Sequence, residues 1–440
     1  MRFGRERVEG DIERARTSRF TELCRRIEGA FTRERKLPLL NLLLTMIERK
    51  GLTLSIELRG FKKVGILEEK ISKTGYLKQR KKLNPLAFLD LSQYHNRRLY
   101  DDGEMKSYKG YLVLSADGSG INVPTTKETL TAYGTSSRKG TKPQASLGLS
   151  CLYDCINKSI LTGSINRVKF NEAAEAQKHL WELPKLVGDL KSIITLDRGY
   201  PSIPLFIRLT GQGQKFVVRL CANDFKQEQS DMKSNDETVD VSITKSRLQH
   251  YKGTDDYELM MRAGSLTIRI VKFTLPSGEL ECLATNLSQD EFSTQEIAKL
   301  YTYRWGVETA FDTLKNKLAI EDFTGTKPIL IEQDIYASIY VCNLASDMIA
   351  DAEASLHESE KYNKRKHPMA INRSFAIGIL KDLLILAILA QSDKLKATLF
   401  RQMVEETEHE VLPVRPGRRF DRGSNGVLAG KFSITRKRCF

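Results

Sequence analysis

The segment Tyr111-Leu-Val-Leu-Ser-Ala-Asp117-Gly-Ser-Gly120 decides how the rest of the chain is read. Its apolar run is short, and Asp-Gly-Ser-Gly is turn chemistry, so the spacing predicts a buried strand that stops at Asp117. A second stretch repeats the pattern: Ser192-Ile-Ile-Thr-Leu-Asp197 is apolar, ends in an aspartate and runs into Arg198-Gly-Tyr-Pro-Ser202. Between them, residues 145–167 alternate around a turn at Asn157-Lys158 and read as a hairpin. Residues 172–183 read as a helix ended by Pro184. Downstream, 215–220 reads as a strand, and a polar stretch at 227–239 interrupts the pattern. Strands return over 257–287, where Leu266, Ile268 and Ile270 alternate with Thr267 and Arg269. That is an all-β piece inside an α/β chain.

Helices flank this middle. Over 14–82 the chain is basic, with Phe20, Leu23, Cys24, Ile27 and Phe31 at helical spacing. Ser293-Thr-Gln-Glu296 is a capping box that opens a helix expected to reach about Lys317, and long helices are expected over 335–356 and 371–390. The boundaries that follow are 1–105 (helical and basic), 106–220 (strands and helices around the two aspartates), 221–290 (β-rich), 291–330 (the helix with the glutamate), 331–410 (helical) and 411–440 (basic tail).

Composition narrows the class. The chain has 440 residues and a formal charge of +15, with 40% apolar and 28% charged residues. This suits a globular protein of about three domains whose surface favours a polyanion. Seven cysteines without a CxxC pair indicate neither a zinc ribbon nor a disulfide framework, so reduced thiols in a cytoplasm are expected. No export signal is read at the charged N-terminus. The greasiest stretches, 39–47 and 383–390, fall short of the roughly 20 residues a membrane span needs. The six histidines lack metal-ligand spacing, and there is no Walker A sequence.

The chemistry is carried by carboxylates. Two strands ending in Asp117 and Asp197, followed by a helix bearing Glu308, are what two-metal phosphoryl transfer needs, because carboxylate oxygens are hard ligands suited to Mg²⁺ or Mn²⁺. Converging carboxylates repel one another unless ions neutralise them. On the helix, Tyr301, Arg304, Glu308 and Lys315 are offset by 3, 7 and 14 residues. At about 100° per residue they fall within about 60° of one face. Each feature also has a plainer reading: Asp-Gly is common in turns, and Arg304 with Glu308 can be an ordinary i,i+4 ion pair.

The spacing Tyr301-x2-Arg304-x3-Glu308-x6-Lys315 resembles the Tyr-Arg-Glu-Lys signature of the IS-four family of bacterial insertion-sequence transposases. Asp117-Gly-Ser-Gly and Leu196-Asp197-Arg-Gly-Tyr-Pro resemble that family's two aspartate segments, in the same order. The resemblance implies an α/β fold in which a ribonuclease-H-like catalytic domain is interrupted by a β-rich insertion, with helical N-terminal and C-terminal regions. It makes Asp117, Asp197 and Glu308 the catalytic, metal-binding triad for Mg²⁺ or Mn²⁺, with two ions, and Tyr301, Arg304 and Lys315 the phosphate or DNA contacts. The implied reaction is attack by water at the terminal inverted repeat, then attack of the freed 3′-hydroxyl on target DNA, without a nucleotide cofactor. The expected partners are double-stranded DNA and a second copy of the chain, without a membrane, in a bacterial cytoplasm at the nucleoid. Further DNA contacts are expected at Arg138, Lys139 and Lys142, in the N-terminal helices and in the basic tail. In some relatives a tryptophan of the insertion holds a flipped base during hairpin formation, whereas Trp181 and Trp305 both lie outside 221–290. Two other readings stay open: a metal-dependent DNA nuclease without strand transfer, and a non-catalytic DNA-binding protein on a transposase scaffold.

Overall fold

In the computed structural model the described residues are 3–33, 36–136, 142–275, 278–358 and 365–414. Eight strands form one mixed sheet: β1 (Leu112–Asn122), β2 (Ser146–Asp154), β3 (Ser159–Arg167), β4 (Ser192–Leu196), β5 (Lys215–Arg219), β6 (Asp236–Ser242), β7 (Ser265–Thr274) and β8 (Leu280–Thr285). Their spatial order is β3-β2-β1-β4-β5-β8-β7-β6. Strands β1, β4 and β5 run parallel, and the remaining neighbours pair antiparallel. The β2–β3 hairpin turns at Asn157-Lys158, with Lys158 in the left-handed region at φ 60°. Asn157 there donates from its side chain to the Asp154 carboxylate at 2.8 Å.

Side-chain alternation along the parallel strands makes two cores. Val113, Ile121 and Ile193 share one core with the helices Leu39–Glu48, Trp305–Asp312 and Pro328–Glu358. Leu112, Leu114, Ala116, Ile194 and Leu196 share the other with the helices Glu172–Trp181 and Ile203–Gly211. The molecule is therefore layered, helices on both faces of a sheet. Helix Pro328–Glu358 is apolar nearly all round, which is why it is buried over most of its length. Its polar groups are paired: Asp334 with Arg80 at 2.9 Å, Asn343 with Ser92 Oγ at 2.8 Å, and Asp347 with His95 at 3.2 Å.

Several expectations change in detail. The helix carrying Phe20 ends at Cys24, and Ile27 stands exposed instead of continuing an apolar face. Pro184 does not end the helix Glu172–Trp181; it sits in the first turn of the next one, Leu183–Val187, where its missing N–H has no intrahelical role. The 257–287 stretch is not all β. Residues 257–263 belong to the helix Asp255–Ala263, whose first turn carries Asp255, Asp256 and Glu258, the charge a helix N-terminus favours. The helix Lys226–Asp231 and strand β6 occupy the polar interval. Strands β6, β7 and β8 continue the sheet beyond β5. Among the described residues no helix is long and apolar enough to cross a membrane, and Cys24, Cys151, Cys155, Cys221, Cys282 and Cys342 are free thiols.

Candidate active site

Parallel pairing carries the two aspartates to the same end of neighbouring strands. Ser115 of β1 is level with Thr195 of β4, the last pair of that ladder, and Asp117 and Asp197 each follow two residues further on. Asp197 follows the last residue of its strand, whereas Asp117 lies inside β1 opposite Cys151 of β2. The expected strand end at Asp117 is thus corrected: the Gly-Ser-Gly that reads as a turn continues in the ladder to Asn122, because β2 supplies partners for it. Both carboxylates are fixed alike, each accepting from the next amide through Oδ1, Gly118 N at 2.8 Å and Arg198 N at 2.7 Å.

The signature helix is built in three pieces. Ser293 and Glu296 form the capping box of helix Thr294–Thr302. At Tyr303-Arg304 the bonding tightens to i→i−3, with Arg304 N donating to Tyr301 O at 3.1 Å and Gly306 N to Tyr303 O at 2.9 Å. Helix Trp305–Asp312 follows, then a π-helical turn over Thr313–Lys317. The single helix expected to reach Lys317 is therefore interrupted, and the face arithmetic does not run unbroken through it. Gly306 lets this helix approach β2 closely, since a Cβ there would stand 3.1 Å from Tyr153 Cε1.

The structure brings the signature residues to the aspartates. The Tyr301 hydroxyl donates to Asp197 Oδ1 at 3.4 Å. Arg304 Nη2 donates to Glu308 Oε1 at 2.9 Å, and its guanidinium lies 5.7 Å from the Tyr301 ring centroid and 5.2 Å from that of Trp305. Lys315 Nζ donates to Ser119 Oγ at 2.7 Å, two residues beyond Asp117, and burial lowers its ammonium pKa. Burial also pushes the Asp117 carboxyl up to about 6; the Gly118 amide and Arg304 oppose this, while Glu172 and Glu308 add to it. Asp117, Asp197 and Glu308 thus act electrostatically on one small region, with Arg304 as a positive charge among them. As they stand, no three Asp, Glu, His or Cys side chains among the described residues are grouped to hold a metal ion. The donor chemistry nevertheless suits a hard divalent cation, and a guanidinium currently supplies the positive charge. Arg138 and Lys139 lie outside the described residues, as does the tail beyond 414; Lys142 is exposed.

Four residues at this site escape the sequence reading. Glu172, in the first turn of its helix, approaches β1 so closely that a Cβ on Gly118 would stand 2.7 Å from its Oε1. Tyr200 has a buried hydroxyl without a partner among the described residues. Burial, with Asp117, Glu172 and Asp197 adding to it, holds that phenol neutral. Arg219, at the end of β5, pairs with Glu281 of β8, Nε to Oε1 at 2.8 Å, and both act on Tyr301. Glu281 was detectable as the lone acid inside an apolar strand; the other three are joined to the site only by tertiary folding.

The family description "Transposase DDE domain" matches residues 108–344. The chain is 33% identical over 76 residues to the Escherichia coli protein named "Transposase for insertion sequence element IS421". It shows the same identity to the InsL protein of insertion sequence element IS186A of Escherichia coli strain K12. These matches span 17% of this chain and only 20% of each relative. Among solved structures, the piggyBac transposase synaptic complex with hairpin DNA is similar at a TM-score of 0.43 and 12% identity, over 97% of this chain and 87% of that one.

Proposed function

Because the chain belongs to the transposase DDE domain family, we propose that it is a DNA transposase of the IS-four group. In this reading it cuts at the terminal inverted repeats of an insertion sequence and joins the 3′-hydroxyl ends to target DNA. The observation that carries it is the placement of Asp117 and Asp197 at the same end of the parallel neighbours β1 and β4, with Arg304 and Glu308 acting on Asp117 and the Tyr301 hydroxyl bonded to Asp197. The strand order β3-β2-β1-β4-β5 supports a ribonuclease-H-like core, and 221–290 enters as the segment between β5 and the Glu308 helix.

Asp117, Asp197 and Glu308 would hold Mg²⁺ or Mn²⁺, two ions in this chemistry. When bound, these ions activate the attacking oxygen and stabilise the leaving one. The chain's own residues do the rest. Arg304, Tyr301 and Lys315 present donors to a phosphodiester, and the backbone bonds to each Oδ1 fix both aspartates before substrate arrives. Joining two ends calls for two copies of the chain on double-stranded DNA. Lys142, Arg138, Lys139, the N-terminal helices and the basic tail add phosphate contacts, consistent with the charge of +15.

The test uses purified protein, a supercoiled plasmid carrying the gene's native flanking DNA, and Mg²⁺ or Mn²⁺. The parent cuts at the flanks and yields joined products, while Glu308→Gln binds the same DNA and leaves it uncut. Cutting without joining would indicate a nuclease. Binding without cutting by either protein would indicate a non-catalytic scaffold.

A further inference from the structure

We propose that Arg304 is an exchangeable counter-ion: in the DNA-free chain its guanidinium engages Glu308, and a DNA phosphate that takes the guanidinium releases Glu308 to ligate a divalent cation. The inference rests on the transposase reading above and adds a coupling to it, in which substrate and metal each assist the other's binding.

Three observations carry it. First, the Arg304 Nη2 to Glu308 Oε1 bond, at 2.9 Å, occupies a carboxylate that the reaction needs for metal, and no three carboxylates among the described residues are grouped to ligate an ion while it stands. Second, Arg304 is nearly all buried, yet its Nε has no partner among the described residues. A guanidinium offers five donors in a planar fork. Leaving a buried one unused is costly, so the Nε donor is one that Glu308 does not satisfy and that a different acceptor could. Third, the Tyr301 and Trp305 rings lie against the guanidinium, so any change of partner takes place along its N–H edge. A phosphate accepts two parallel N–H bonds from such an edge, a better match than the single bond to Glu308.

Arg304 thus binds substrate and at the same time controls Glu308, and its removal has a sign that structural damage does not produce. Loss of the guanidinium frees Glu308 and leaves the carboxylates without a counter-charge, so metal binding should improve. The experiment measures Mn²⁺ affinity of the full chain by the electron paramagnetic resonance signal of the free ion, with and without a short duplex from the gene's flanking DNA. In the parent, the duplex tightens Mn²⁺ binding by about 5- to 150-fold, the usual range of coupling between sites. Arg304→Met binds Mn²⁺ more tightly than the parent without duplex and loses most of the duplex dependence; Arg304→Lys, keeping the charge, stays near the parent. Arg304→Met binding no tighter than the parent overturns the proposal. Should that variant not fold, reciprocity decides with the parent alone, because Mn²⁺ must tighten duplex binding by the same factor and an unchanged duplex affinity overturns the coupling. Glu308→Gln separates the two levels. If it leaves Mn²⁺ binding unchanged, the metal-site reading itself fails. If it abolishes Mn²⁺ binding while Arg304→Met brings no gain, only the exchange fails.

Discussion

His95 shows how a single side chain ties distant parts of this chain together. It is fully buried, with Nδ1 2.7 Å from Asp11 and Nε2 3.2 Å from Asp347; Asp11 also accepts from Tyr340 at 2.8 Å and Arg98 at 2.9 Å. Burial alone would lower its pKa, but the two aspartates outweigh that and raise it from 6.5 to about 9. A raised folded-state value means the protonated imidazole stabilises the fold fully below pH 6.5, and that contribution is lost as pH rises towards 9. The amount at stake is on the order of 3 kcal/mol. Thermal melts between pH 6 and 10 should therefore fall across that window, and His95→Gln should melt lower and show a flatter dependence. The sequence could not reveal this residue's role, since its partners lie far away along the chain. The candidate site is legible to the extent that its groups sit in local motifs: Asp197, Tyr301, Arg304 and Glu308 are readable in short segments, whereas Glu172, Tyr200 and Arg219 become neighbours of Asp117 and Tyr301 only when the sheet is assembled.

At the level of elements, strands were readable where apolar runs were bounded by turn residues, as for β4 and the β2–β3 hairpin. Local chemistry misleads where the partner strand decides the outcome. Asp117-Gly-Ser-Gly is turn chemistry in isolation and strand in the fold, and Gly118 has a packing purpose. Phe170 lies over Gly118 of β1 and Gly148 of β2. A methyl group at position 148 would overlap the Phe170 ring and stand 3.0 Å from the Arg167 carbonyl oxygen, which belongs to backbone and cannot swing away. Gly148→Ala should lower stability by about 1–3 kcal/mol, as overpacking does. A second change, Phe170→Leu, should recover part of the loss in the same denaturant titration. The signature helix is another limit of periodicity. Residue spacing gives the angular positions of Tyr301, Arg304 and Glu308 in an ideal helix, yet not the tightened turn at Tyr303-Arg304 or the π-helical turn at Thr313–Lys317.

For the molecule as a whole, the basic N-terminal helices do not bury their apolar residues among themselves alone. Leu42, Phe61, Tyr76 and Phe88 belong to the same core as Ile335, Ile339, Leu380 and Leu384 from the far end of the chain. Arg80, fully buried, is paired with Asp334 and receives further acceptors from Gln333 and the Leu330 carbonyl at 3.0 and 2.9 Å. Residues 1–105 expressed alone would leave Arg80 and His95 without the Asp334 and Asp347 carboxylates. Circular dichroism should then show helix without a cooperative melt, while the full chain melts cooperatively. Sequence composition marked this region as helical and cationic; it could not show that its core is completed by helix Pro328–Glu358.

The unbroken sheet has a consequence of its own for the interval between Asp197 and Glu308. Strand β5 is short, apolar on both faces and carries Arg219 at its end, and along its outer side the backbone groups of Val217, Val218 and Arg219 are paired with β8. Strand β8 therefore acts as an edge guard for β5: it covers a row of amides and carbonyls that would otherwise recruit the strand of another chain. Variation in the length of this interval is confined by that duty to the connections, because β8 must stay in register for the parallel strands of the site to remain shielded.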